Sequence, residues 1–152
     1  MHFFDIINNL TKESSIILFV DMDGVIASYD AGKPLDFLNK RPLTENINKL
    51  KIISTIQNVE LHILSVCRKD YQIEEKNIWL NKYAAFFIKE NRHIISKELL
   101  DGISSKEVKG NFLKHFKTEK KMILLDDDNA VLNYVMKNVK DILVFQDSEL
   151  ID

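Results

Sequence analysis

Apolar positions along this chain fall into two kinds of segment: short unbroken runs, and longer stretches with helical spacing. Ile16–Val20 is the clearest run, five apolar residues rich in β-branched and aromatic side chains, and it predicts a strand buried on both faces. Further strands are predicted at Val59–Ser65, Arg92–Ser96, Met122–Leu125 and Asp141–Phe145, with Ala85–Ile88 competing for the third. Between them, Phe3–Leu10 predicts a short docking helix. Thr44 caps a second helix that reaches about Gln57, with Ile47, Leu50, Ile53 and Ile56 on one face. Glu74–Tyr83 predicts a third helix with Ile78, Trp79 and Leu80 turned inward, Ser105–Phe116 a fourth burying Phe112, Leu113 and Phe116, and Ala130–Met136 a fifth. Residues 24–42 hold Gly24, Gly32, Pro34 and Pro42 and read as turns or a small flap.

That alternation predicts an α/β fold, a three-layer Rossmann-like parallel sheet with helices on both faces. At 152 residues the chain suits a single domain, 1–152. Right-handed crossovers bring the carboxyl ends of strands one, two and four to one rim, where open α/β folds bind ligands.

Composition narrows the chemistry. A net charge of −2 argues against a nucleic-acid polymer held by bulk charge. The longest apolar run is well short of the about 18 residues that mark a membrane span. Met1–Leu10 lacks the basic start of a signal peptide. Cys67 is the only cysteine, which excludes an internal disulfide framework and suits a reducing compartment such as the cytoplasm.

The first strand runs straight into Asp21-Met22-Asp23-Gly24, and the fourth into Asp126-Asp127-Asp128. Gly24 allows a sharp turn and leaves room for a ligand phosphate to approach the backbone. Two acid-tipped strands in one small domain point to a magnesium site at a sheet edge, because magnesium takes oxygen ligands. Asp128 also reads as an ordinary helix N-terminal acid.

These motifs resemble the haloacid dehalogenase superfamily of phosphatases. Asp21-Met22-Asp23-Gly24 matches its first motif, Leu61-His62-Ile63-Leu64-Ser65 its second and Leu124-Leu125-Asp126-Asp127 its fourth, a resemblance spanning residues 16 to about 130. The resemblance implies the strand order 5-4-1-2-3. It also implies Asp21 as a nucleophile forming an aspartyl-phosphate, Asp23 as general acid and base, and Ser65 as a donor to a phosphate oxygen. For magnesium it implies Asp21, the Asp23 backbone carbonyl and Asp127, with Asp126 as a further ligand or the residue behind it.

A cation must offset the phosphoryl charge, and two lysines qualify. Lys109 stands where most of the family has it, upstream of strand four. Lys76, in Lys76-Asn77-Ile78-Trp79-Leu80, resembles the deoxyribonucleotidase branch. One of the two is expected to be a solvated helix lysine, and Lys109 is preferred over Lys76, with Lys106 third.

Arg68, Lys33, Arg41 and Tyr29 are candidate substrate contacts. His62, His93 and His115 lack partners at ligand spacing, and His62 reads as a packed side chain. Cys67-Arg68 leaves no loop to cradle a phosphate for thiol chemistry. The spacing between motifs leaves no room for a cap domain, so the rim is expected to be open. An open rim favours a phosphate presented on a large molecule, with a phosphoprotein, phosphotyrosine above all, as the leading substrate. A nucleotidase is the alternative enzyme, and a catalytically silent binding module on the same fold the alternative from another class.

Overall fold

The five expected strands form one parallel sheet in the order β3-β2-β1-β4-β5, which read from the other edge is 5-4-1-2-3. The structure is a computed structural model describing residues 2–29 and 36–150. Gly32, Lys33 and Pro34 therefore lie outside the described residues. The strands are β1 (Ile16–Val20), β2 (Val59–Cys67), β3 (Arg92–Ser96), β4 (Lys121–Asp126) and β5 (Leu143–Gln146). Central β1 pairs with β2 on one side and β4 on the other, and all five of its residues are buried. That is why its apolar run has no polar alternation.

Helices cover both faces. Ile16, Leu18 and Val20 point into a core shared with α1 (Phe3–Thr11), α2 (Thr44–Ile53) and α3 (Tyr71–Tyr83). Ile17 and Phe19 point the other way, into a core shared with α4 (Ser105–His115) and α5 (Asn129–Asn138). A Cβ built on Gly110 would meet the Tyr134 ring at 2.5 Å, so the close approach of α4 and α5 depends on that glycine. No helix among the described residues is long and apolar enough to cross a membrane.

Several details differ from expectation. Helix α2 ends at Ile53 rather than near Gln57, because the Ser54 and Thr55 hydroxyls donate back to the Lys51 and Ile52 carbonyls and the chain leaves the helix. Its cap position is Leu43, so Thr44 is the first helical residue and caps nothing. Ile78 is exposed, since the inward stripe of α3 runs through Gln72, Lys76, Trp79 and Leu80. Ala85–Ile88 is a turn rather than a strand. Strand β5 begins at Leu143, after Asp141 takes a left-handed conformation at φ 63°.

His62 packs as expected, but with a partner. Its Nδ1 lies 2.9 Å from His93 Nε2, and the two rings stack beside Phe19, Phe112 and Phe116. One of these nitrogens carries the proton and the other accepts it, so the pair cannot be doubly protonated without breaking the contact. Burial lowers both pKa values to about 4. The folded protein thus binds these protons less readily than the unfolded chain. The stability they confer is complete above about pH 6.5 and falls as pH drops towards 4. Thermal unfolding should show this decline, and a His62→Phe, His93→Phe double variant should flatten it; an equal decline in both proteins would contradict the assignment.

Candidate active site

The rim at the carboxyl ends of β1, β2 and β4 gathers acids and buried ammonium groups. Asp21 directly follows β1, and its amide donates to Leu125 O of β4 at 3.0 Å, which fixes its height on the rim. The chain then turns tightly around one acceptor, since the amides of Val25, Ile26 and Ala27 all point to Met22 O. Asn46 of α2 pins the turn by donating to Val25 O at 2.8 Å. Gly24 sits in this turn at φ +83°, and a Cβ there would overlap the Asp127 carboxylate. The space expected for a ligand phosphate is therefore filled by Asp127, and the role of Gly24 is to admit that side chain.

Asp21, Asp126 and Asp127 each bring a carboxylate oxygen within 4.8 Å of the others. Asp126 is the last residue of β4 and fully buried, and its Oδ1 accepts the Asp128 amide at 3.0 Å. Asp128 turns away, capping α5 through the Ala130 amide at 2.8 Å. Burial pushes the Asp21 carboxyl well above the ordinary carboxylate range; Lys109 opposes this and Asp126 adds to it. Burial, joined by Asp126, raises Asp127 to about 6.

Among the described residues one ammonium enters this cluster. Lys109 Nζ lies 2.9 Å from Asp21 Oδ1 and 2.6 Å from Asp126 Oδ2, from a side chain that is 4% exposed. Burial alone would lower its pKa, but the two carboxylates outweigh it and raise it above the usual lysine range. With all the acids ionised, three carboxylates against one ammonium leave two negative charges uncompensated. An oxygen-rich site with that deficit suits a divalent cation such as magnesium.

One of the two candidate lysines was expected to be solvated, and neither is: Lys76 is 2% exposed and donates to Ser65 Oγ at 2.6 Å, Asp23 Oδ2 at 3.2 Å and Val66 O at 3.3 Å. Both lysines belong to the site, one on each aspartate. Lys106 is exposed.

Asp23 holds a second buried ammonium, which sequence reasoning did not single out. Lys40, 5% exposed, approaches Asp23 Oδ1 at 2.9 Å and donates to Ser28 O at 3.2 Å, while its own carbonyl accepts the Trp79 indole at 3.0 Å. Burial pushes Asp23 upward, but Lys76 and Lys40 together outweigh it and hold the carboxyl below its ordinary range.

No family model matches this chain, and no curated protein does. Among solved structures, it is similar to a chain of a structure described as the Pnkp1/Rnl/Hen1 complex, at 19% identity and a TM-score of 0.69, over 88% of this chain and 46% of that one. At that identity the likeness shows the α/β fold alone, and this chain spans about half the length of its counterpart.

The remaining candidates divide. Ser65 is fully buried and lies two residues inside the end of β2, not at its tip. Arg68 is exposed at the edge of a cavity beside Asp23, and Tyr29 lines that cavity too. Arg41 is exposed and serves the flap instead, its amide donating to Ser28 Oγ at 3.0 Å. Burial raises the Cys67 thiol, which leaves it a poor nucleophile.

Proposed function

We propose that the protein is a magnesium-dependent phosphomonoester hydrolase of the haloacid dehalogenase type, working through an aspartyl-phosphate on Asp21. The observation that carries this reading is the division of two buried lysines between two aspartates. Lys109 ties Asp21 to Asp126, while Lys76 ties Ser65 to Asp23. A buried ammonium is costly unless it meets charge, and two of them facing one rim suit a doubly charged phosphoryl group.

In the first step an Asp21 carboxylate oxygen attacks phosphorus, the bond from phosphorus to the leaving oxygen breaks, and Asp23 gives that oxygen a proton. In the second step water attacks the phosphorus of the aspartyl-phosphate, Asp23 takes the water proton, and phosphate leaves with Asp21 restored. The resting carboxylate of Asp23 suits the second step. For the first step, an incoming phosphate dianion raises its pKa by like-charge repulsion and competes for Lys40 and Lys76. In this reading Lys76 steadies a phosphate oxygen, and the buried Ser65 hydroxyl holds its ammonium. Asp21, Asp126 and Asp127, with the Asp23 carbonyl, would hold magnesium, which when bound neutralises phosphate and carboxylate charge.

Two carriers of the phosphate suit an open rim. A protein-borne phosphotyrosine is favoured by the spacing between the motifs, which leaves no room for a cap domain. A nucleotide is the second reading, favoured by Lys76 lying on Asp23 and Ser65, since its segment carries the deoxyribonucleotidase resemblance.

Hydrolysis of p-nitrophenyl phosphate by the folded protein should need magnesium at about millimolar levels and stop with chelator. Asp127→Ala should raise that requirement far more than Asp128→Ala, whose carboxylate is engaged in capping α5. A folded protein that hydrolyses no phosphomonoester with magnesium would favour the silent binding module instead.

A further inference from the structure

Beside the cavity of about 410 Å³ that opens on Asp21 lies a second, of about 240 Å³. Asp23 lines both, so its carboxylate stands on their boundary. Among the described residues the second cavity is walled by four cationic side chains, Lys40, Arg68, Lys76 and Lys97, against the single carboxylate of Asp23. Lys40 and Lys76 are engaged by that carboxylate. Among the described residues the Arg68 guanidinium has no hydrogen-bond or ion-pair partner, and the Lys97 ammonium reaches only Ile103 O, at 3.5 Å. Glu98, next in sequence, is turned towards Lys69 and the Asp70 amide. The backbone carrying Arg68 is held in place, because Gln72 Oε1 accepts the amides of Arg68 and Lys69 at 3.1 and 3.0 Å.

The proposed reaction gives this cavity a position along the bond that breaks. The leaving oxygen departs beside Asp23, so the leaving group extends across Asp23, away from Asp21 and Lys109, into the basic cavity. A neutral leaving group would leave a guanidinium and an ammonium uncompensated against it. An anionic one would meet both, and a guanidinium pairs with phosphate through two parallel hydrogen bonds. The volume decides what else fits. Sites for drug-sized ligands occupy about 300–1,000 Å³, so this cavity holds the second phosphate with a few carbons, and a base carried by the leaving group stays outside it.

We propose that the cavity is a subsite for a second phosphate carried by the leaving group, so that the substrate bears two phosphates a few bonds apart. Arg68 and Lys97 grip the second phosphate while Asp21 attacks the first. This rests on the phosphomonoesterase reading and decides between its two carriers, against a plain phosphotyrosine.

The test compares ethylene glycol bisphosphate with ethylene glycol monophosphate at saturating magnesium, a pair that differs only in the second phosphate. The bisphosphate should have the higher kcat/KM by about 10–100-fold, the worth of charged hydrogen bonds. Arg68→Gln and Lys97→Gln should each reduce that ratio several-fold. Calorimetry on Asp21→Asn protein should show the same order of affinity without turnover. Two further substrates separate the sources of the second phosphate: a nucleoside bisphosphate offers it as a monoester, and a dinucleotide with a terminal phosphate offers it as a diester. Preference for either over the matching mononucleotide supports the subsite. Equal rates for the glycol pair, a preference that survives both substitutions, or a phosphotyrosine peptide outpacing every doubly phosphorylated substrate would each overturn it and leave the hydrolase reading standing. Failure to hydrolyse any of these substrates, p-nitrophenyl phosphate included, would overturn both.

Discussion

Asp21→Asn should abolish turnover, by about 10⁴-fold or more, the scale seen when a covalent nucleophile is removed, and yet make the ion-free protein harder to unfold. Asparagine keeps the shape of aspartate but cannot attack phosphorus to form an acyl phosphate. The stability gain follows from the charge of the site. Asp21 is 7% exposed, and burial together with Asp126 pushes its pKa well up against the pull of Lys109. A carboxyl whose folded pKa is raised supports the fold below its unfolded pKa, and that support is lost as pH rises through the folded value. At neutral pH Asp21 therefore opposes folding, and the amide removes that cost while Lys109 keeps Asp126 at 2.6 Å. Thermal unfolding in chelator should show a higher Tm for Asp21→Asn than for wild type at neutral pH. Saturating magnesium should shrink or reverse the gap, since wild type then gains more from the ion. A variant with near wild-type kcat, or one less stable in chelator, would contradict this account of Asp21.

Lys109→Ala should be the most damaging single change to stability, with a large loss of activity beside it. Among the described residues, Lys109 is the only cation in contact with Asp21 and Asp126. Without it, buried carboxylates face one another alone, and breaking a buried ion pair in this way costs about 3–5 kcal/mol. Activity should fall by about 10²–10³-fold, the scale of losing one charged stabiliser of a transition state, and magnesium should recover much of the stability but little of the rate. Lys76→Ala should cost less stability, because Lys40 still pairs with Asp23. Urea midpoints with and without magnesium, beside kcat/KM, separate the two lysines. Lys106→Ala, at an exposed position, is the control expected to change neither.

The fold was legible because a strand buried on both faces has to be continuously apolar. Ile16–Val20 has the expected bounds for that reason, Arg92–Ser96 has them as a half-buried edge strand, and the strand order agrees with the family resemblance. The acid cluster was legible for a related reason: three aspartates ending an apolar strand have few structural explanations. Lys109 and Lys76 were legible as candidates, but not that both are buried in the site. On α3 the inward stripe is Gln72, Lys76, Trp79 and Leu80, and on α4 it is Val108, Lys109, Gly110 and Leu113. In each stripe polar residues occupy positions that a hydrophobic pattern assigns to the surface, so a lysine feeding the site looks like a solvated one. Ile78 reads as inward beside Trp79 and Leu80 in a hydrophobic pattern, but the buried stripe takes Lys76 instead. Lys40 had no signal at all. It lies in an irregular flap, and its burial depends on Trp79 of α3 holding its carbonyl.

The central claim is a covalent bond between Asp21 and the transferred phosphoryl group, and trapping that bond is the most direct measurement. Enzyme mixed with a substrate labelled in the phosphoryl group is quenched in acid during turnover, then reduced with borohydride, which cleaves an acyl phosphate and leaves a modified side chain that peptide mass spectrometry can locate. The account predicts modification at residue 21, dependent on substrate and magnesium, and absent from Asp21→Asn. Full turnover with residue 21 unmodified, or with the label on another side chain, would contradict it.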